Sequence, residues 1–198
     1  MVRNGFFGVK NAHFAILKDE DALTYDAPVH VPGTVSISME PTVGESTSYA
    51  DNETWLQEQQ DNGGSGVMSF YDTESDEKVR KLIAELVGFG VAADGRIILS
   101  ADKTPKPFAF MAEQPGHALG RRRCLYYCQL TKPKAEWKTN EDTPQITQLD
   151  YNFTWRPITL PESNIRTSGY DSFSGIAGYD DFFKKVDTAI TEAPASDA

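Results

Sequence analysis

The sequence is short of the residues and patterns from which catalytic and metal sites are built. Its three histidines, His13, His30 and His117, share no recurring spacing. No stretch matches a nucleophile elbow, a zinc-protease helix, a phosphate loop or a dinucleotide-binding glycine motif. Adjacent acids such as Asp180 and Asp181 are better explained by solvation and helix capping than by glycoside hydrolysis. We therefore expect no enzymatic activity, no metal and no cofactor.

Cysteine is scarce, and its two occurrences argue against a disulfide and against a zinc site. Cys124 and Cys128 fall in one strand-like run, where four residues would separate them by about 13 Å on one face of a sheet. A disulfide requires Cα atoms closer than about 7 Å. With His117 as the further candidate ligand, a zinc ion would still lack ligands. We expect two free, buried thiols.

Long hydrophobic runs are also missing, and none approaches the length of a membrane-spanning helix. The first ten residues, M-V-R-N-G-F-F-G-V-K, contain neither the apolar core nor the cleavage site of a signal peptide. We expect the chain to be made and folded in a cytoplasm and to have no membrane partner.

Positive charge is scarce as well: 19 lysines and arginines stand against 29 aspartates and glutamates, for a formal net charge of −10. Because a nucleic-acid-binding protein gains affinity by placing cations against phosphates, we do not expect tight DNA binding. A negative surface suits a protein that DNA must pass without sticking. The one dense basic spot, Arg121-Arg122-Arg123, could contact phosphate. We favour its pairing with an acidic neighbour, for which another copy of the chain is a candidate.

Alternation with a period of two is the clearest pattern that is present. In residues 34–40, Thr, Ser and Glu occupy one face and Val35, Ile37 and Met39 the other, directly after the turn residues Val31-Pro32-Gly33. Further strands are predicted at residues 12–17, 67–71, 96–100, 108–113, 122–131 and 145–156. With about seven or eight strands, we expect a mainly antiparallel β-sandwich or barrel.

One helix is predicted to pack against this sheet, over residues 73–88. Its apolar face is formed by four residues at helical spacing, Val79, Leu82, Ile83 and Leu86. Thr73 is the expected N-cap and Gly88 the expected C-terminal stop. A second, short helix is predicted at residues 178–190, within a C-terminal segment that ends in a frayed tail.

Residues 45–66 are mostly polar and are predicted to form a long loop. Only Tyr49, Trp55 and Leu56 in this passage are large and apolar. The run Gly63-Gly64-Ser65-Gly66 is interpreted as a flexible hairpin tip. A passage this long with so little to bury is either disordered or ordered by a partner, and its aromatic residues favour a partner.

Several separated segments together resemble one known family, the major tail protein (tail tube protein) of siphophages that infect Gram-positive bacteria. They include Y-D-A-P-V-H-V-P-G-T-V-S-I-S-M-E-P, R-C-L-Y-Y-C-Q-L-T-K-P and Y-D-D-F-F-K-K-V. The segments lie at residues 25–41, 49–52, 61–66, 105–110, 123–133, 143–145, 149–154 and 179–186. They occur in the family's order and cover most of the chain, so the ordered set is more specific than any one motif.

The resemblance implies a single tail-tube domain over residues 1–198. Its parts would be an N-terminal arm at 1–11, an inter-subunit loop at 45–66, a packed helix at 73–88 and a C-terminal segment at 160–198. Hexameric rings of the chain would stack into a hollow tube in the virion tail, after assembly in the host cytoplasm. The lumen would hold the tape measure protein and later conduct DNA without specific binding. Tail terminator and distal tail proteins would be further partners.

Contacts between subunits are assigned to aromatic and polar residues in three parts of the chain. These residues are Phe6, Phe7, Tyr49, Asp51, Asn52, Trp55, Leu56, Arg121 and Arg122. Aromatic side chains often dominate the energy of such contacts. Unpaired sheet edges, which are otherwise a hazard, become the joints in a ring of identical subunits.

Two other functions are weighed against this one. A small acidic β-sandwich that binds carbohydrate would stack exposed aromatic rings on sugars, with Trp137 and Trp155 as the candidate residues. A tube subunit of a type VI secretion system belongs to the same tube-forming class. The Gram-positive-phage character of the motifs counts against this last function.

Overall fold

The computed structural model describes residues 8–50, 53–71, 73–133 and 148–192, without the side chains of residues 46–50 and 53–58. One helix, α1 (Glu77–Val87), lies between the fifth and sixth strands. The strands are β1 (Lys10–Asp19), β2 (Thr24–Tyr25), β3 (Val29–His30), β4 (Thr34–Ala50), β5 (Glu53–Phe70), β6 (Gly90–Val91), β7 (Ile97–Ile98), β8 (Phe108–Gln114), β9 (Arg121–Leu130), β10 (Leu149–Trp155), β11 (Ile158–Thr159), β12 (Arg166–Thr167) and β13 (Gly169–Ser172). The prediction of a mainly β chain with a packed helix is confirmed.

One antiparallel sheet of nine strands forms the body of the protein. Its order is β2-β1-β8-β9-β10-β5-β4, with β3 paired to β1 and β13 paired to β9. Two small sheets, β6 with β7 and β11 with β12, lie outside it. Most neighbours in this order are consecutive in the sequence, and the pairs β1 with β8 and β10 with β5 join the two halves of the chain.

The large sheet curls into an open barrel. Three strands separate β1 from β5 in the sheet order, which in a flat sheet would place these strands about 19 Å apart. The ring centroids of Phe14 on β1 and Phe70 on β5 are only 6.1 Å apart. Both side chains are fully buried, together with Phe108, Phe110 and Phe153 from the intervening strands. The apolar faces of the strands therefore meet in one interior core.

The turn before β4 bridges the open side of this barrel at one end. The Val31 N–H donates to the Ala12 carbonyl at 2.8 Å, and the Tyr71 N–H donates to the Gly33 carbonyl at 2.9 Å. Gly33 has a φ of 75°, a conformation that glycine adopts at no steric cost. Val31 is fully buried. The turn predicted from Val31-Pro32-Gly33 thus connects the two edges of the curled sheet.

The predicted helix forms, but it begins at Glu77 rather than at residue 73. Its N-cap is Asp76, whose carboxylate accepts the N–H groups of Lys78 at 2.7 Å and Val79 at 3.3 Å. Thr73 is buried, and its hydroxyl is hydrogen-bonded to the Tyr151 hydroxyl at 2.8 Å. Thr73 was predicted to be the cap, and this tertiary contact is the reason that it is not.

The remaining features of the helix agree with the sequence prediction. All four residues of the predicted apolar face are buried, and they pack into the interior core: Val79, Leu82, Ile83 and Leu86. Gly88 ends the helix in the left-handed conformation, with a φ of 82°. The helix therefore completes the core of the barrel.

Removal of the N-cap side chain of α1 should lower the stability of the protein by a small but measurable amount. We expect Asp76→Ala to lower the free energy of unfolding by about 1 kcal/mol, because two helix N–H groups lose their acceptor. Asp76→Ser keeps a capping oxygen and should lose less. Urea unfolding of the three proteins tests this order, and equal stability of all three would contradict the cap assignment.

A bulge in β9 places the two cysteines on opposite faces of the sheet. The register between β8 and β9 shifts between Phe108 and Phe110, where β9 has one extra residue. Beyond this point the alternation is inverted, so Cys128 belongs to the interior core and Cys124 to the core on the outer face. The prediction of one shared face is wrong. Both thiols are free and buried as expected, and burial raises the pKa of each.

The outer face of β1, β8 and β9 is covered by residues 158–190. Leu160 and Phe182 from this segment are buried against Met111, Cys124 and Tyr126. The sheet is therefore sandwiched here between the interior core and a second, smaller apolar layer.

The short C-terminal helix predicted at residues 178–190 is not formed, and turns occupy this part of the segment. Backbone hydrogen bonds join residues three apart, as from Lys184 N–H to Asp181 O at 2.9 Å. The carbonyl of Tyr179 accepts the Arg122 guanidinium, and the carbonyl of Asp187 accepts the Tyr126 hydroxyl. These side chains of the sheet bind backbone groups that a helix would have used itself.

Candidate assembly surface

The passage predicted to be a long loop is instead the outer half of a long antiparallel hairpin. β4 and β5 pair from Thr34 with Phe70 out to Ala50 with Glu53. β5 pairs with β10 only over its last seven residues, from Gly64 to Phe70. We call the remaining two-stranded part, residues 43–50 and 53–61, the ribbon. The loop prediction was wrong because polar strands can satisfy their backbone groups through each other without a buried apolar face.

The ribbon extends well beyond the barrel. At about 3.3 Å per residue, residues 43–50 span roughly 23 Å. Among the described residues, no backbone hydrogen bond joins the ribbon to another element. An isolated two-stranded hairpin is marginally stable at best in water. Strand pairing with a neighbouring molecule would therefore stabilise the ribbon.

Asp61 fixes the base of the ribbon. Its carboxylate accepts the Gly63 N–H at 2.8 Å through one oxygen and the Ser168 hydroxyl at 2.8 Å through the other. Its carbonyl accepts the Arg166 guanidinium at 3.3 Å. These bonds hold the ribbon against the segment around β12, so the ribbon leaves the barrel in a defined direction. The sequence shows an ordinary acidic turn residue here, and only the fold reveals the role of Asp61.

The glycine run next to Asp61 lies inside the sheet and is not a flexible tip as predicted. Gly64 pairs with Trp155 and Gly66 pairs with Phe153 across β5 and β10. A Cβ on Gly64 would lie 2.4 Å from Cζ2 of Trp155, and one on Gly66 would lie 2.7 Å from Cε1 of Phe153. The aromatic rings therefore occupy the space that the glycines leave. Trp155 is only 8% exposed, which weighs against a role in stacking on sugars.

The open edge of β4 continues from the barrel into the ribbon. β4 ends the sheet order, and no described strand pairs with its second edge over Thr34–Ala50. Such an edge offers N–H and C=O groups to a strand of another molecule. Val43, at the start of the ribbon, is 52% exposed. The edge and the ribbon together form a continuous candidate surface for joining subunits.

Two of the three consecutive arginines share one acidic partner in the same chain. Asp171 on β13 accepts two parallel hydrogen bonds from Arg123, at 2.7 and 2.8 Å, and further bonds from Arg121. A bidentate guanidinium–carboxylate pair is among the stronger charged hydrogen bonds in proteins. The acidic neighbour that the sequence predicts is therefore found within the chain.

Arg122 faces the other side of β9 and holds the C-terminal segment. Its guanidinium carbon lies 3.7 Å from the ring centroid of Tyr179, and its Nε lies 3.4 Å from a carboxylate oxygen of Glu113. Its side chain is 17% exposed. The assignment of Arg121 and Arg122 to a contact between subunits stays a prediction, since their described contacts stabilise the subunit itself.

Acid should weaken this arginine cluster in a defined pH range. Burial disfavours ionisation of Asp171, but hydrogen bonds and charge from Arg123 and Arg121 outweigh it and lower its pKa. The folded protein therefore holds this carboxylate ionised at pH values where the unfolded chain, with a pKa near 3.9, binds a proton. We expect Asp171 to contribute stability above about pH 4 that is lost as the pH falls through its lowered folded pKa.

Urea unfolding between pH 7 and pH 2.5 tests this contribution. Asp171→Asn should be less stable than the natural chain at pH 7, and the difference should shrink toward the acid end of the range. A constant difference between the two proteins across this range would contradict the assignment of Asp171 as the titrating group.

The other residues assigned to contacts, or their side chains, lie outside the described part of the chain. Phe6, Phe7, Asp51, Asn52 and the sugar-stacking candidate Trp137 lie outside the described residues. The side chains of Tyr49, Trp55 and Leu56 are outside the description too. Their backbone is in the outer half of the ribbon, where Tyr49 pairs with Thr54 and Leu56 pairs with Ser48. The assignments to these residues stay predictions.

Within the described ranges, no helix is long and apolar enough to cross a membrane. The same residues contain no group of three or more His, Cys, Asp or Glu side chains that could hold a metal ion. A cavity of about 390 Å³ lies between β4 and β8, lined by Ile37, Met39 and Phe110 and bordered by Arg121 and Arg123. Its two cationic groups are already bound to Asp171.

Comparison with known proteins gives a match at the level of structure. No family model and no curated protein matches the chain by sequence. Thirteen chains of solved structures match it. One is the cryo-EM structure of the anti-feeding prophage cap, the AFP tube terminating cap, with a TM-score of 0.51 and 8% identity over 88% of this chain and 95% of that chain. Another is a sheath–tube complex of an extracellular contractile injection system, PVC, in its extended state, with a TM-score of 0.45 and 6% identity over 82% of this chain and 88% of that chain.

The likeness to the tube terminating cap concerns the fold, since the two sequences share only 8% identity. It extends over nearly the whole of both chains. The chain therefore has a tail-tube-like fold. This is the part of the sequence resemblance that the structure bears out.

Proposed function

We propose that this chain is the major subunit of a tail tube of the siphophage type. Copies of the chain join into hexameric rings, and the rings stack into a hollow tube around the tape measure protein. DNA later passes through the lumen, and the tail terminator and distal tail proteins are further partners. Assembly takes place in the host cytoplasm, and the finished tube is part of the virion tail.

The ribbon is the observation that carries this proposal. It is a two-stranded structure of roughly 23 Å that the described part of its own chain leaves without a backbone partner. The open edge of β4 runs along it and accepts strand pairing from another copy. A head-to-tail contact of this kind between identical subunits closes into a ring when the rotation between them permits. The role is structural, and we propose that the chain is not an enzyme.

A cap that terminates a tube is the second candidate function. The solved structure that supports the fold has that description, and the match covers 95% of its chain. A cap would form a single ring and would not stack, because one of its faces ends the polymer. The fold alone is compatible with both functions, so the state of assembly decides between them.

Sedimentation velocity of the purified chain over a range of concentrations separates the two candidates. A tube subunit should form species larger than one ring, and their size should grow with concentration. A cap should stop at a single ring. A protein that stays monomeric at every concentration would contradict both functions.

A further inference from the structure

The interior core of the barrel is well covered at β5 but only partly covered at β4. Ile37 on β4 pairs directly with Met68 on β5, and both side chains contact the interior core. Met68 is fully buried, whereas Ile37 is only partly buried. Val35 and Met39, which alternate with Ile37 on the same face of β4, are partly buried too. The apolar face of β4 therefore lacks a complete covering layer.

The space beside this face is the cavity of about 390 Å³ between β4 and β8. Across it from β4 are Phe110 and Ala112 of β8, which belong to the interior core. Protein interiors are packed as densely as organic crystals, and the lining of an apolar void loses dispersion contacts. The cationic groups at the border are already bound to Asp171. The cavity is therefore better suited to an apolar side chain than to an anion.

The chain itself leads to this cavity. Gly8 and Val9, the first two described residues, line it, and Val9 packs against the interior core. Gly8 has a φ of 76°, a left-handed conformation in which the chain can turn sharply. Consecutive Cα atoms are about 3.8 Å apart, so covalent geometry alone keeps the Cα atoms of Phe7 and Phe6 within about 3.8 and 7.6 Å of that of Gly8. Two aromatic residues thus directly precede the wall of an apolar cavity.

We infer that the rings of Phe6 and Phe7 occupy the cavity of their own subunit and complete its interior core. Aromatic rings bring a large apolar area to such a site. Met39 in the wall has a flexible side chain that adapts to the shape of a ring, and its sulfur favours contact with one. The inference goes beyond the proposed function because it concerns a single subunit. It also assigns both rings to the subunit itself, instead of to the contacts between subunits that the sequence predicts.

A pair of introduced cysteines tests whether the segment and the cavity belong to the same subunit. In Phe7→Cys/Met39→Cys, mild oxidation should form a disulfide within the monomer, because such a bond requires Cα atoms closer than about 7 Å. Phe7→Cys/Leu99→Cys is the matched control, since Leu99 is 76% exposed and does not line the cavity. The natural Cys124 and Cys128 are fully buried and should not react. Mass spectrometry and non-reducing gels identify the bonds formed.

The location of the disulfide decides between the possible occupants of the cavity. A mixture of the single variants Phe7→Cys and Met39→Cys can form this bond only between two subunits. Cross-linked dimers in the mixture, without the internal bond in the double variant, would show that a second copy fills the cavity and would overturn the inference. No bond to Met39→Cys, or an equally fast internal bond in the control pair, would overturn it as well.

The stability of the subunit tests whether the two rings are buried. Phe6→Ser/Phe7→Ser should lower the urea midpoint by at least about 0.5 M, because two buried aromatic side chains are lost. Leu119→Ser/Ile176→Ser removes two side chains that are 56% and 53% exposed, and should change the midpoint by less than about 0.3 M. Both are compared with the natural chain at a concentration where sedimentation shows monomers. Equal midpoints of the two double variants would overturn the inference.

Discussion

Replacement of residues 46–58 by Asn-Gly should abolish assembly and leave the subunit folded. The change joins Glu45 to Gln59, which already pair across the ribbon, through the two-residue turn that hairpins favour. It removes most of the ribbon and none of the residues that the structure describes in either core. Since the ribbon has no backbone partner in the described part of its own chain, the fold should lose little when it is shortened.

Two measurements on the shortened chain separate assembly from folding. Its free energy of unfolding in urea should match that of the natural chain within about 0.5 kcal/mol, as for surface changes elsewhere. In sedimentation and electron microscopy it should show neither rings nor tubes at concentrations where the natural chain forms them. Intact tubes from the shortened chain would show that the ribbon does not join subunits.

Gly63→Ala should destabilise the subunit far more than the same change at Gly95. Both glycines have left-handed backbone conformations, with φ of 89° and 86°, which cost an alanine about 1–2 kcal/mol at either site. A Cβ on Gly95 would meet nothing within 4 Å. A Cβ on Gly63 would lie 2.0 Å from the carbonyl oxygen of Trp155 and 2.8 Å from the Cα of Arg156. Because both are backbone atoms, a rotamer change cannot relieve the clash.

The comparison of the two variants isolates the close approach of β5 to β10. We expect Gly63→Ala to lower the free energy of unfolding by at least about 2 kcal/mol more than Gly95→Ala does. This difference is in the range by which overpacking destabilises a well-filled site. Urea unfolding of the natural chain and both variants measures the difference. Similar losses of stability at the two sites would mean that only backbone conformation matters and that Gly63 is not tightly packed against the backbone of Trp155 and Arg156.

Local sequence patterns correctly predicted the elements with a clear hydrophobic periodicity and the features that depend only on neighbouring residues. The alternation around Val35, Ile37 and Met39 gave a strand, and the spacing from Val79 to Leu86 gave the buried face of α1. The stop at Gly88 was also predictable, because a left-handed glycine at a helix end is a local event. In these cases the local preference and the tertiary structure agree.

The ribbon could not be predicted from composition, because its stability as a strand pair comes from a partner strand and not from an apolar face. Residues 45–66 carry few large apolar side chains and therefore resemble a loop. Backbone pairing between Thr34–Ala50 and Glu53–Phe70 satisfies the same N–H and C=O groups that a loop would expose to water. The register, and with it the position of Gly63 opposite a backbone carbonyl, depends on β10, which follows about ninety residues later in the chain.

Bulges and tertiary hydrogen bonds account for the other differences. One extra residue in β9 moved Cys124 and Cys128 to opposite faces, and alternation alone cannot locate such an insertion. The spacing near Phe182 and Phe183 predicted a helix, but no helix forms there. Side chains of the sheet donate hydrogen bonds to backbone carbonyls of the C-terminal segment instead. The partner of Arg121 and Arg123 likewise depends on tertiary structure, because the pairing of β13 with β9 places Asp171 beside Arg123.

Negative-stain electron microscopy of the purified natural chain tests the central claim most directly. At high protein concentration we expect hollow tubes of stacked rings with a continuous lumen, and single rings at lower concentration. Uniform particles of the size of one subunit at every concentration would contradict the claim that this chain builds a tail tube.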